Sequence, residues 1–441
     1  MDILLRNGTI VPMDGKNRAL RGSVLIKENR IACIGEIKER ADIEIDCSHK
    51  IIMPGLIDTH MHLAQALLRG CADDLPLVRW LNERVWPMQS TYDEELGSLS
   101  AELCIAEMLL SGTTTFLESG LHRKYGIEGI AEVTERSGIR GFLSKMLMDQ
   151  AHYADHAMYE GMVEDRDAAM AEAMNLFHGW NGKAEGRIRV ALAARTPGAC
   201  TPELYREISE KAEELKTVAT LHFCEIREDV SFLKKEYGMS PIEFLEHCGL
   251  NRDNIILAHG VWLGEKDIGS LKANIAHCPS SNLKLGSGIA GIEDMLNAGV
   301  NVSLGCDGAP CNNTYDLFRD VWLSALLQKG RLLDATAMSA ERALSAATLN
   351  GAKALGINAG AIEEGKLADV ITVDVKRPHM MPVRDPLSTI VYCAKGSDVC
   401  DVIVNGDLVV EKHELKTIDV ESLLERVNEK GLLPDRRLHF L

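Results

Sequence analysis

The chain has 441 residues, 46% of them hydrophobic and 26% charged, which is enough apolar material for a large buried core and unlike a disordered polymer. Its 65 acidic against 48 basic residues leave a net charge of −17, which argues against nucleic acid or an anionic membrane as partner. Twelve cysteines form no C-x-x-C pair, the opening MDILLRNGTI lacks signal-peptide character, and no apolar run approaches the ~20 residues of a membrane span, so a reduced, cytoplasmic protein is expected.

In chain order, residues 1–50 alternate short apolar runs with turn signals (DILLRNGTIV, GSVLIKENRIACIGE, IEIDCSHKII), a pattern that predicts short antiparallel strands. The same texture returns in ADVITVDV and DVCDVIVNGDLVVEKHEL. Neither segment fills a core alone. They are therefore paired as one small β-sandwich domain, 1–54 plus 362–441, with residues 55–361 inserted between. Within the insertion, strand-like runs fall at 51–59, 113–118, 140–148, 187–194, 217–224, 254–259, 274–278 and 301–306. Helical patterns lie between most of them; TPELYREISEKAEELK opens with a capping Thr201, Pro202 in the first turn, and Glu203 near the N-terminal end. Eight strand–helix alternations predict an α/β protein, a TIM-like (β/α)8 barrel, with an open doubly wound sheet as competitor.

In such a barrel, chemistry gathers at the carboxyl ends of strands. Those ends hold His60 and His62 after the first strand, His222 after the fifth, His259 after the sixth and Asp307 after the eighth. Four of fourteen histidines at strand ends is more than core filling explains. Nitrogen and carboxylate donors without thiolates suit zinc, ferrous iron or manganese with a position open to water. Such an ion brings the pKa of bound water toward ~7. Glu225, three residues past His222, is placed to move protons between water and substrate.

PGLIDTHMH, HFCE, AHG, AHCPSSNLKLGSGIA and LGCDGAPCNN resemble the amidohydrolase superfamily, in the branch of hydrolytic deaminases and dechlorinases of N-heterocycles. The resemblance covers nearly the whole chain. It implies one divalent metal, zinc or Fe(II), bound by His60, His62, His222 and Asp307. It also implies that Asp307 takes a proton from the attacking water, that His259 hydrogen-bonds that water or the developing oxygen, and that Glu225 protonates the ring nitrogen. A homodimer rests on the resemblance alone.

The implied reaction is hydrolytic deamination of an amino-substituted heterocycle, purine-, pterin- or triazine-like, with water as co-substrate. Gln65, Trp86, Gln89 and Arg195 are the candidate substrate contacts. LLRG, NLKLGSGIA and MMPVRDPLSTIVYCAKG resemble deaminases of 5'-methylthioadenosine and S-adenosylhomocysteine, yet Gln89 stands where those carry a glutamate and Arg195 where they carry a histidine. Gln65, Arg195 and DLPL-x-x-WL resemble guanine deaminases, and Arg195 suits a ring carbonyl. H-x-H-L-x-Q-x-LLRG and GMSP resemble atrazine chlorohydrolases. Three rivals stand beside these: triazine dechlorination, hydrolysis of a cyclic amide, and an inactive scaffold. The fourth strand, RIRVALAAR, lacks the lysine that a two-metal imidase uses, and a scaffold would have lost ligands. GSGIAG at 286–291 has the G-x-G-x-x-G spacing but does not directly follow a strand, which excludes a dinucleotide loop.

Overall fold

The computed structural model describes residues 1–16 and 19–430; the end of the small domain, 431–441, lies outside the described residues. Eight parallel strands follow one another in one sheet: Leu56–Met61, Thr113–Glu118, Arg140–Leu147, Ile188–Ala194, Ala219–Phe223, Ile255–His259, Asn274–His277 and Val302–Leu304. A parallel bridge between Met61 and Asp307 links the eighth strand to the first, with the Asp307 N–H donating to the His60 carbonyl at 2.8 Å. The Thr59 hydroxyl reinforces this seam, lying 2.7 Å from Ser303 Oγ and 2.9 Å from the Leu304 carbonyl. The architecture is the expected (β/α)8 barrel, and its strands are buried along nearly their whole length, as in a parallel sheet covered on both faces.

Ile57, Leu117, Phe142, Ala191, Ile256 and Ala276 form one apolar cluster with Ala352 and Leu355 from the helix Leu349–Leu355. The helix Pro202–Glu214 starts as its sequence predicts, Thr201 Oγ1 accepting the Leu204 N–H at 3.3 Å. The segment GSGIAG follows the helix Pro279–Lys284 and not a strand.

A second sheet of nine strands draws on both chain ends. Its edge strand Arg30–Gly35 bonds back to residues 365–366, ahead of the strand Val370–Asp374. The sheet thus curls round its own core of Ile3, Leu5, Val24, Ile26, Ile52, Val370 and Ile403. Two details differ from the sequence reading. The run 51–59 is two strands, Lys50–Pro54 in this sheet and Leu56–Met61 in the barrel. Gly55 makes the crossing because a Cβ there would lie 2.2 Å from the Thr114 side chain. The first fifty residues are also not purely antiparallel: Ile3–Ile10 pairs in parallel with both Ile43–Asp46 and Lys50–Pro54, since the chain returns across the sheet between them. No helix among the described residues is long and apolar enough to cross a membrane.

Candidate active site

The strand ends converge. Ligand atoms of His60, His222 and His259 lie within 4.8 Å of one another, as do those of His60, His62 and Asp307. His62 Nε2 is 3.3 Å from His222 Nε2 and 3.4 Å from Asp307 Oδ1. The backbone contributes to the arrangement. His259 and Asp307 have φ of 73° and 63°, left-handed values that cost energy for these residues and turn their side chains at the ends of their strands.

Outer polar atoms of His60, His259 and Asp307 have partners. His60 Nδ1 lies 2.7 Å from Ser119 Oγ, His259 Nδ1 lies 2.9 Å from Asn282 Oδ1, and Ser281 Oγ donates to Asp307 Oδ2 at 2.6 Å. The buried Nε2 atoms of His60 and His259 have no hydrogen-bond partner. Imidazoles pinned at one nitrogen and bare at the other, beside a carboxylate, fit a divalent cation. Burial holds His60 down at about 3 and His62 at about 4, so both offer neutral nitrogens at physiological pH. His222 is lowered further, first by burial and then by the Arg195 guanidinium, whose Nη1 lies 2.7 and 2.6 Å from the two ring nitrogens. Burial works against charge on Asp307, but hydrogen bonding and attraction to His60, then His62 and His259, keep it well below the usual carboxylate range.

Glu225 is buried, with Oε2 3.6 Å from His259 Nε2 and 3.4 Å from the Tyr153 hydroxyl. Burial raises its carboxyl, helped by Asp307. Its N–H donates to Asp229 Oδ2 at 2.7 Å. Among the candidate substrate contacts, Gln65 Nε2 donates to Gln89 Oε1 at 3.4 Å, and the Arg195 guanidinium lies 5.7 Å from the centre of the buried Trp86 ring.

The sequence profile of the amidohydrolase family matches residues 51–409. The chain belongs to the amidohydrolase family. It is similar to a 5-methylthioadenosine/S-adenosylhomocysteine deaminase of Pyrococcus abyssi, 36% identical with 97% of this chain and 98% of that protein covered. A 5'-deoxyadenosine deaminase of Methanosphaera stadtmanae is 38% identical, with 96% of each covered. Among solved structures, an adenosine deaminase from Xanthomonas campestris with bound zinc superposes at a TM-score of 0.90 and 30% identity, covering 97% of each chain. An atrazine chlorohydrolase from Arthrobacter aurescens TC1 complexed with zinc gives 0.88 and 25%, covering 97% of this chain and 99% of that one. This amidohydrolase is therefore an aminohydrolase enzyme with a His/Asp metal-binding group.

Sequence reasoning missed several residues of the amidohydrolase site. Glu118 ends the second strand and Ser119 follows it, and Glu118 Oε1 is 3.8 Å from His62 Nδ1; the strand-end rule that found the histidines also marks them. Ser281 and Asn282 lie inside a recognised motif but had no assigned role. Tyr153 and Asp229 carry no sequence signal, because a loop and a helix turn bring them to Glu225 only in the folded chain.

Buried ionisable groups give this enzyme a defined pH response. Burial pushes Asp58, Glu118 and Asp229 up to about 8 and Cys47, Cys200 and Cys248 to about 12. Above pH ~7.5 the unfolded chain has released carboxyl protons that the native state still partly keeps, and near pH ~8.5 it also ionises thiols. Stability of the metal-free protein is expected to decline as pH rises from about 7.5; nearer pH ~6.5 the depressed histidines, still partly charged in the unfolded chain, push the other way. Melting temperatures from about pH 7.5 to 9.5 check this; a flat or rising series contradicts it.

Proposed function

We propose that this amidohydrolase hydrolyses the exocyclic C–N bond of an amino-substituted N-heterocycle, purine-, pterin- or triazine-like, and releases ammonia. The observation that carries this reading is the approach of Glu225 and Asp307 to one unpartnered nitrogen, His259 Nε2, at 3.6 and 4.0 Å beside the histidine cluster. One zinc ion held by His60, His62, His222 and Asp307 would act as Lewis acid and activate water. Asp307 accepts a proton from the attacking water. Glu225 protonates the ring nitrogen, which draws electrons from the carbon under attack. His259, oriented by Asn282, hydrogen-bonds the oxygen on which charge develops. The C–O bond forms first, giving a tetrahedral carbon that bears hydroxyl and amino groups; the proton held by Asp307 then passes to the amine, the hydroxyl proton returns to Glu225, and the C–N bond breaks to release ammonia. A homodimer and a cytoplasmic location belong to the same reading, the latter supported by twelve free cysteines.

Arg195 supports a ring that carries a carbonyl: it is a buried cation between Trp86 and His222, able to donate two hydrogen bonds to a ring carbonyl, which adenine lacks. A second reading, an adenosine-like nucleoside, is supported by the relatives named as 5-methylthioadenosine/S-adenosylhomocysteine and 5'-deoxyadenosine deaminases. Ammonia release from guanine, pterins, adenosine thioethers and aminotriazines, with chloride release from chlorinated triazines, separates the two. On a carbonyl-bearing ring, Arg195→Met is expected to lower kcat/KM by about 10- to 100-fold, the value of a hydrogen bond to a charged group. Turnover of adenosine thioethers alone selects the nucleoside. No ammonia from any amine in the panel overturns the deaminase assignment.

A further inference from the structure

Resting on the metal reading above, we propose that the Tyr315 hydroxyl is a strut that fixes the separation of two metal ligands, His62 and Asp307, across the seam of the barrel.

Tyr315 lies outside the ligand set and is fully buried. Its hydroxyl donates to the His62 carbonyl at 2.9 Å and accepts the Ala309 N–H at 3.2 Å. One oxygen atom therefore bonds the backbone of a ligand residue on the first strand and the backbone two residues past the ligand on the eighth. The seam itself carries a single ladder bridge, Met61–Asp307, so side chains supply much of its closure. Tyr315 is in turn anchored at its own backbone. Its N–H donates to Glu107 Oε1 at 2.9 Å, and Thr314 Oγ1 donates to the same oxygen at 2.9 Å. Glu107 comes from the helix Glu94–Leu110 and pairs with Arg69, which sits on the loop that leaves His62. The strut thus connects three points: the loop after the first strand, the helix that follows it, and the loop after the eighth. His62 Nε2 and Asp307 Oδ1 lie 3.4 Å apart at its far side. A cation held between them senses any widening of the seam directly.

Tyr315→Phe keeps the ring and its packing but leaves the Ala309 N–H unpaired and His62 O with only the Gln65 N–H, at 3.2 Å. Groups that orient metal ligands without touching the metal typically change metal affinity by about 10- to 100-fold. The test loads wild type and Tyr315→Phe with zinc and follows its release to a chromophoric chelator, alongside melting of both metal-free proteins. Expected is release ~10- to 100-fold faster from the variant, with the melting temperature falling further in the zinc-loaded than in the metal-free form. Glu107→Gln, which loosens the anchor, is expected to move release in the same direction and decides the matter should Tyr315→Phe fail to fold. Release at the wild-type rate, or equal melting losses with and without zinc, reduces Tyr315 to ordinary packing and overturns the strut alone. A wild-type protein that retains no zinc overturns the metal reading, and the strut falls with it.

Discussion

Glu225→Gln is expected to lower kcat for deamination by about 10²- to 10⁴-fold, the range of a lost general acid–base group, while metal content stays at the wild-type level. The substitution preserves shape and removes only the proton. The Glu225 N–H bond to Asp229 holds the backbone in place regardless of the side chain, so the amide occupies the same pocket beside His259 and Tyr153. Neither group of converging ligand atoms contains Glu225, so metal binding has no reason to change. Burial raises the Glu225 carboxyl above the ordinary glutamate range, the direction that favours a proton donor. Turnover within a few fold of wild type would take Glu225 out of the reaction.

The second large effect is expected at Asp307. Asp307→Asn removes the only carboxylate in the ligand cluster and the group proposed to take the proton from water. Two roles are lost together, so activity should fall by about 10⁴-fold or more, the scale seen when a member of a catalytic unit is deleted. Metal content should fall too, in contrast to Glu225→Gln. The amide oxygen can still accept the Gly308 N–H and the amide NH2 can donate to the Ser281 hydroxyl, so the fold should survive, and circular dichroism with elemental analysis separates metal loss from unfolding. A variant with full metal and an unchanged rate would remove Asp307 from both roles.

The barrel and its cluster were legible because both follow from periodicity. Alternating strand and helix patterns gave the eight strands, and polar residues at strand ends, where apolar runs stop, gave His60, His62, His222, His259 and Asp307. What escaped depends on contacts between distant segments. Tyr153 meets Glu225 from a loop after the third strand, and Tyr315 meets His62 across the seam; neither has a local pattern. The run 51–59 looked like one strand because its two halves are equally apolar, and only the close approach of Gly55 to Thr114 divides it between two sheets. Arg195 was found, but its nearness to His222 was not, since a strand-end arginine is equally suited to an ion pair.

The small sheet carries a consequence for synthesis of the protein. Strand Lys50–Pro54 emerges early, yet its neighbour on one side, Val370–Asp374, is made only after all eight barrel strands. Until then its edge presents bare amide and carbonyl groups and the apolar side chains of Ile51 and Met53. Pairings between such remote segments form slowly, and a nascent chain with an open β edge is prone to associate with its neighbours. Losses near the carboxyl terminus should therefore appear first as poor yield of soluble protein, even though every metal-ligand candidate has already left the ribosome.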